Sequence, residues 1–258
     1  MPPDPILATR NLTKQFRSFC AVDQISMQVT RGTIHALLGP NGAGKTTFFN
    51  LLTKFLQPSS GAIIFEGNDI TLETPFQIAR RGIIRSFQIS SVFPHLSALE
   101  NVRLSLQRRQ NRDFNFWSRD AHLASLDKKA FGILESLGLA ALATQPASTL
   151  AYGQKRALEL GTTLAMEPTL LLLDEPTQGL GHEDIADVIS LIRQAAQGRT
   201  VLMVEHNMDV IANLCDQVTV LQRGKVIAEG TYEEVSKNPA VLDAYLGQSE
   251  SLEEAPHG

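Results

Sequence analysis

The chain has 258 residues, 43% of them hydrophobic, enough to bury the core of one large α/β domain or of a domain with a subdomain. Its 23 Lys and Arg residues are outnumbered by 27 Asp and Glu, and the net charge of −4 argues against a nucleic-acid partner. The strictly apolar runs, such as Leu170 to Leu173, fall far short of the roughly 20 residues of a membrane span, and the first ten residues lack the basic start and apolar run of a signal peptide.

The first five residues and the tail after Gly247 are polar and contain proline, so both are expected to be loose. Cys20 and Cys215 stand far apart in no metal-like spacing; they fit a reducing compartment and read as small buried hydrophobes. Residues 33–38 form a short apolar run ending in Gly39, the pattern of a buried strand feeding a turn. A helix is expected over residues 46–53. Residues 61–65 are β-prone and run into Glu66-Gly67, a turn signal. Ser97 and Glu100, three apart before Val102, give a capping-box start. From there to about Leu150 the chain is helix-prone, with a polar interruption at residues 108–119, as in a helical insertion. Residues 152–166 read as a further helix, with Ala157, Leu160, Gly161 and Leu164 along one face and Glu167-Pro168 as its stop. Residues 170–173 and 201–204 are short buried strands, and residues 218–221 and 226–228 flank Arg223-Gly224 as a hairpin. Strands alternating with helices imply a mostly parallel sheet with both faces covered.

Two motifs carry chemistry. Residues 39–47 read GPNGAGKTT, which matches the phosphate-loop pattern at Gly39, Gly42, Gly44, Lys45 and Thr46, with Pro40, Asn41, Ala43 and Thr47 completing the wrap. Glycines let backbone pass close to phosphate oxygens, and the N–H groups at the start of the following helix favour an anion. Lys45 would reach the β- and γ-phosphates and the Thr46 hydroxyl would ligate Mg²⁺. The loop alone specifies a nucleoside triphosphate and not the machine that uses it. Residues 170–175 read LLLLDE, a buried strand ending in two acids at the edge of the sheet where the loop also lies. Asp174 would hold Mg²⁺, and Glu175 would polarise the attacking water.

With these motifs in order, residues 6–247 resemble the ABC transporter ATPase family. LAYGQKR at residues 150–156 is similar to the family signature LSGGQ and lies shortly before the LLLLDE strand. Gln88 in SFQ resembles the glutamine loop, His206 after Glu205 resembles the switch histidine, and Gly179-Leu180-Gly181 falls where the D-loop belongs. Phe16 lies where the family stacks an aromatic ring on adenine. The resemblance implies an α/β P-loop NTPase core (residues 6–96 and 155–230), an inserted α-helical subdomain carrying the signature (97–154), an N-terminal antiparallel β region, and a C-terminal extension and tail (231–258). It also implies catalytic roles for Glu175, His206, Gln88 and Lys45. Mg²⁺ contacts are implied for Thr46, Gln88 and Asp174. Across a head-to-tail dimer, ATP would meet the partner's counterparts of Ala151, Tyr152, Gly153 and Gln154. Three departures stand out. Ala151 replaces the signature serine and Tyr152 a glycine, which weakens that contact, and Gly181 replaces a common D-loop aspartate.

LAYGQ, GIIRSFQ at residues 82–88, the long helical insertion and the ending NPAVLDAYLG at residues 238–247 resemble the larger ATPase of branched-chain amino-acid importers. The implied partners are a second ABC ATPase, two membrane permease subunits and, indirectly, a periplasmic binding protein. The implied place is the inner face of the cell membrane, reached from the cytoplasm through the permeases. The region around Gln88 and the SSVFPHLSALENV stretch would receive the permeases. A urea or short-amide importer, a soluble non-transport ABC ATPase, a lipopolysaccharide export motor and a P-loop kinase are the alternatives. The last two fit less well, at the insertion and tail and at the signature helix respectively.

Overall fold

The computed structural model describes residues 4–86, 92–110 and 119–245. Their architecture follows from one contrast in the sequence, between strands that are apolar at every position and strands that alternate. β4 (Ile34–Leu38), β8 (Leu170–Asp174) and β9 (Thr200–Val204) are buried at every residue. A strand apolar on both faces needs cover on both, which is the condition of a parallel sheet between helical layers. They form the centre of a six-stranded sheet ordered β11-β10-β4-β9-β8-β7, completed by β7 (Ile83–Ser86), β10 (Gln217–Gln222) and β11 (Lys225–Gly230). All pairs are parallel except the β10–β11 hairpin. Successive side chains serve different cores. Leu171 and Leu173 of β8, with Val201 and Met203 of β9, face a helical layer. Leu170, Leu172, Leu202 and Val204 face the opposite side. Each of the four leucines of β8 is 0% exposed and contributes on the order of 2 kcal/mol through burial.

The second sheet is antiparallel. β1 (Pro5–Phe16) pairs with β2 (Phe19–Ile25), β3 (Gln28–Thr30) and β5 (Ser60–Phe65), and β5 pairs with the short β6 (Asn68–Asp69). Ile6, Leu7, Leu12, Ile63 and Phe65 of this sheet share a core with Phe48, Phe49, Leu51 and Leu52 of α1 (Lys45–Leu52). The other face of the large sheet carries α5 (Tyr152–Leu164), α6 (His182–Ala195) and α7 (Met208–Leu214), with α3 (Ala98–Gln110) and α4 (Arg119–Ser136) packed together and against α5. α2 (Pro75–Arg80) opens on a capping box from Thr74 and Gln77, and α8 (Tyr232–Ser236) on one from Thr231 and Glu234. Residues 239–245 are also helical.

Most expected elements appear within two residues of their expected bounds. The Ser97–Glu100 pair makes its reciprocal hydrogen bonds, 2.8 Å and 3.2 Å, at the start of α3. Ala157, Leu160, Gly161 and Leu164 are all buried, and a Cβ on Gly161 would stand 3.0 Å from Leu137, so a small residue belongs there. Three expectations change. The N-terminus is ordered earlier than its composition suggests, because Pro5 already pairs with Thr30. Helix α3 continues to Gln110, into the stretch read as an interruption, while residues 111–118 lie outside the described part. Cys20 and Cys215 are half-buried rather than buried.

Candidate functional site

The site is set by register. Val204 at the end of β9 stands opposite both Leu37 of β4 and Asp174 of β8. The loop leaving β4, the acids leaving β8 and the Glu205-His206 pair leaving β9 therefore emerge side by side from one edge of the sheet.

The loop is held by backbone geometry that requires glycine at two places. Gly39 has φ 145°, and a Cβ there would stand 2.2 Å from the Leu221 carbonyl oxygen. Gly44 has φ 103°, and its Cβ would meet the Ala21 carbonyl at 2.3 Å. Within the loop the Ala43 N–H donates to Pro40 O (3.1 Å), and the Gly224 N–H donates to Ala43 O (2.9 Å). The Gly39 N–H donates to the Tyr245 hydroxyl (3.1 Å), which ties the C-terminal helical segment to the root of the loop. Asn41, Gly42 and Thr46 are exposed, and Thr47 is half-buried. Lys45 is buried, and its ammonium donates to Gly39 O (2.5 Å) and Pro40 O (3.0 Å). Burial pushes the Lys45 pKa below its ordinary value, while the nearby Glu175 and Asp174 carboxylates push it back up. The loop cation thus faces both acids.

Glu175 adopts φ 49°, a left-handed turn directly after the strand, fixed by a 2.9 Å hydrogen bond from its N–H to Val204 O. Its Oε1 lies 2.6 Å from His206 Nε2. Glu205 supports that pair from beneath. Only 2% exposed, it accepts hydrogen bonds from the Thr177 N–H and hydroxyl through Oε1, and from the His206 and Asn207 N–H groups (2.6 and 3.2 Å) through Oε2. A buried carboxylate satisfied this fully fixes both loops it joins. Asp174 forms an ion pair with Arg85 of β7.

Ala151 is the N-cap of α5, and its methyl accepts nothing; Gln154 Oε1 instead accepts from the Ala151 N–H (3.0 Å). Tyr152 is half-exposed, and its hydroxyl donates to Gln178 O (3.4 Å) while accepting from Arg156 (3.0 Å). Gly153 has open space around its Cα. Gly181 is the N-cap of α6 and supplies no side-chain acceptor there. Phe16 stacks on Phe19, with ring centroids 5.3 Å apart, and Lys14 Nζ lies 5.4 Å from the Phe16 centroid. Phe19 begins the strand whose Ala21 backs onto Gly44. Gln88 lies outside the described residues.

Sequence reading brought together the loop, Asp174, Glu175 and His206. It missed Glu205 as a support, Phe19 as the partner of Phe16, and Arg85 and Tyr245 as contacts of the site. The one available signal was a charged residue inside an otherwise apolar strand, Arg85 after Ile83-Ile84.

The two candidate metal ligands among the described residues, the exposed Thr46 and Asp174, both offer oxygen donors. Among the described residues no group of three His, Cys, Asp or Glu side chains forms a metal cage. That donor set fits Mg²⁺, which takes few protein ligands and fills its shell with phosphate oxygens and water.

A glycine-rich loop of the phosphate-loop pattern on one strand end, beside an acid pair on a nearby strand of the same parallel sheet, is the arrangement of P-loop nucleoside triphosphatases. Comparison with known proteins narrows the class. The sequence model of the ABC transporter family matches residues 22–178, and that of the branched-chain amino acid ATP-binding cassette transporter matches residues 225–251. The chain is 36% identical over 253 residues to the high-affinity branched-chain amino acid transport ATP-binding protein BraF of Pseudomonas aeruginosa, covering 95% of this chain and 99% of that one. It is 35% identical to the corresponding protein LivG of Escherichia coli, covering 95% and 99%. Among solved structures, the ADP conformation of an ATP-binding cassette of an ABC transporter matches with TM-score 0.82 and 31% identity, covering 95% and 99%. A nucleotide-free cassette matches with TM-score 0.81 and 31% identity, covering 94% and 99%. The chain belongs to the ABC transporter family, as an ATP-binding and ATP-hydrolysing cassette.

Proposed function

We propose that this chain is the ATPase subunit of an importer for branched-chain or closely related amino acids. The observation that carries the ATPase reading is the convergence of Lys45, Asp174, Glu175 and His206 at one sheet edge. The solute class rests on the relatives' names and on the match of residues 225–251.

In this reading, residues 39–47 wrap the phosphates of ATP through backbone N–H groups, and Lys45 leaves its loop carbonyls for the β- and γ-phosphates. Phe16, with Phe19 behind it, stacks on the adenine. Thr46 and Asp174 hold Mg²⁺ with Gln88, and the ion would offset charge building on the phosphoryl oxygens. Glu175 orients the attacking water, while His206 holds the Glu175 carboxylate by their 2.6 Å contact and senses the γ-phosphate. Residues 97–154 act as the helical subdomain and residues 231–258 as the C-terminal extension. Ala151, Tyr152, Gly153 and Gln154 face the nucleotide of a second ATPase subunit. Closure of the dimer on ATP and reopening after hydrolysis move the membrane subunits, since the γ-phosphate is the contact that differs between the two arrangements.

No helix among the described residues is long and apolar enough to cross a membrane, so the reading needs separate permease subunits. Exposed apolar side chains fit such docking. Phe93 in the stretch read as the permease contact is 57% exposed, and Leu72 and Phe55 are 87% and 67% exposed on either side of the Lys54–Thr71 hydrogen bond. The chain would then sit on the cytoplasmic face of the membrane.

The test is a pull-down of tagged protein from mildly solubilised membranes, with uptake of labelled leucine and labelled urea measured in cells lacking the chain. Recovery of a second ATPase and two membrane subunits, with leucine uptake lost, is the expected result. Loss of urea uptake alone would redirect the solute assignment. Recovery of no membrane protein from an active ATPase would discard transport.

A further inference from the structure

The scheme of Proposed function gives no task to the cation of β7. Arg85 lies in β7 with its side chain 8% exposed. One terminal nitrogen, Nη2, forms the ion pair with Asp174 Oδ2, and the Asp174 side chain is also 8% exposed. The other, Nη1, donates to Asn50 Oδ1 of α1 at 2.7 Å, and the guanidinium carbon lies 5.7 Å from the centroid of the Phe49 ring on the same helix. Nε is buried with no hydrogen-bond partner. One planar group therefore bridges the edge strand β7, the helix that begins at Lys45 and the end of β8.

A buried ion pair of this kind is held by Coulomb attraction away from water, against the cost of desolvating both charges. Neither member tolerates loss of the other, because the remaining charge stays out of water. The Asp174 carboxylate also cannot give the same lone pairs to a guanidinium and to a metal or its water at full strength. The orphan Nε shows that the arginine is not fully satisfied where it lies, although a buried donor normally is.

We propose that Arg85 is a positioning residue that competes with the divalent cation for Asp174. It neutralises and orients that carboxylate when no metal–nucleotide complex is bound, and yields it when one is. This rests on the reading of Asp174 as the metal-side acid. Asn50 and Phe49 hold the guanidinium against α1 throughout, so the arginine stays in place as the carboxylate turns. Arg85 thereby sets how strongly nucleotide binding depends on the divalent ion.

The test compares the full-length wild type with Arg85→Lys, Arg85→Met, Asp174→Asn and the Arg85→Met/Asp174→Asn pair. Two quantities are read: the thermal midpoint in EDTA without nucleotide, and the ratio of ADP affinities in Mg²⁺ and in EDTA by calorimetry. Arg85→Met is expected to lower the midpoint by roughly 5–10 °C, because Asp174 loses its cation. The same substitution is expected to raise the Mg²⁺-to-EDTA affinity ratio by about tenfold or more, because the competitor is gone. Removing both charges should restore much of the midpoint, and Arg85→Lys should stay near wild type in both readouts. If Arg85→Met fails to fold, Arg85→Gln replaces it, removing the charge while keeping a donor for Asn50. A lower midpoint with an unchanged affinity ratio would reduce the pair to a structural one and overturn the proposal. If Asp174→Asn also leaves the ratio unchanged, the metal assignment of Asp174 is itself wrong, which separates the two failures.

Discussion

Glu175 is a non-glycine residue in the left-handed region, a conformation that costs about 1–2 kcal/mol. The turn aims its carboxylate at His206 while its N–H remains bonded to β9. Glu175→Gln keeps the shape and removes the carboxylate charge. ATP turnover should fall by about 10² to 10⁴ while ATP binding stays near wild type, as steady-state hydrolysis and equilibrium binding would report. Turnover close to wild type in that variant would remove Glu175 from the chemistry. Lys45→Ala deletes the cation that bridges the loop carbonyls and faces both acids, so calorimetry should register no ATP binding at concentrations that saturate the wild type; unchanged affinity would contradict the phosphate role. These residues were legible because each belongs to a short run with its own signal, a glycine-rich loop or an acid pair after four leucines. Arg85 and Glu205 were not. Their partners Asp174 and Thr177 lie 89 and 28 residues away, and no local pattern announces a contact made only by sheet order.

At the scale of elements, the pairing of β4 with β10 contains a histidine that reports on folding. His35 is 1% exposed, its Nε2 lies 2.8 Å from the Thr219 hydroxyl, and its Nδ1 has no partner. Burial lowers its pKa from 6.5 to about 4. The unfolded chain therefore takes up this proton first as pH falls, so the contribution of neutral His35 is full above 6.5 and drains away between 6.5 and about 4. The loss from this group is at most about 3 kcal/mol. Urea unfolding between pH 7 and 4.5 should show a steeper decline for wild type than for His35→Gln; parallel curves would mean that the histidine is not held neutral. The strands of the large sheet were easy to read because burial on both faces leaves an unbroken apolar run. The antiparallel sheet was harder. β1 carries Arg10, Asn11 and Lys14 on exposed or half-exposed positions and shifts register against all three of its partner strands, so its alternation is broken where a pattern would be sought. Phe16 could be placed near a strand from sequence, but its stacking on Phe19 depends on a tight turn that the residue types do not dictate.

For the whole molecule, the order of strands departs sharply from the order of the chain. Among the described residues β4, which launches the glycine-rich loop, pairs with β9 and β10, and His35 meets Thr219 across 184 residues of sequence. The root of the loop waits longer still, for Tyr245, 206 residues beyond Gly39. On the ribosome this sets a schedule. At about 5–20 residues per second, roughly ten to forty seconds would pass between the synthesis of β4 and that of its neighbours. Nascent chains stalled before residue 200 should therefore fail to retain a fluorescent ATP analogue and should be cut readily by protease, whereas chains released after the full sequence should bind and resist. Retention of nucleotide by the shorter chains would show that the loop forms without its sheet. A polypeptide cut short in synthesis would thus carry the complete phosphate-loop sequence and yet consume no fuel. On that expectation the order of the sheet would couple nucleotide capture to synthesis of β9 and β10, the strands that flank the root of the loop.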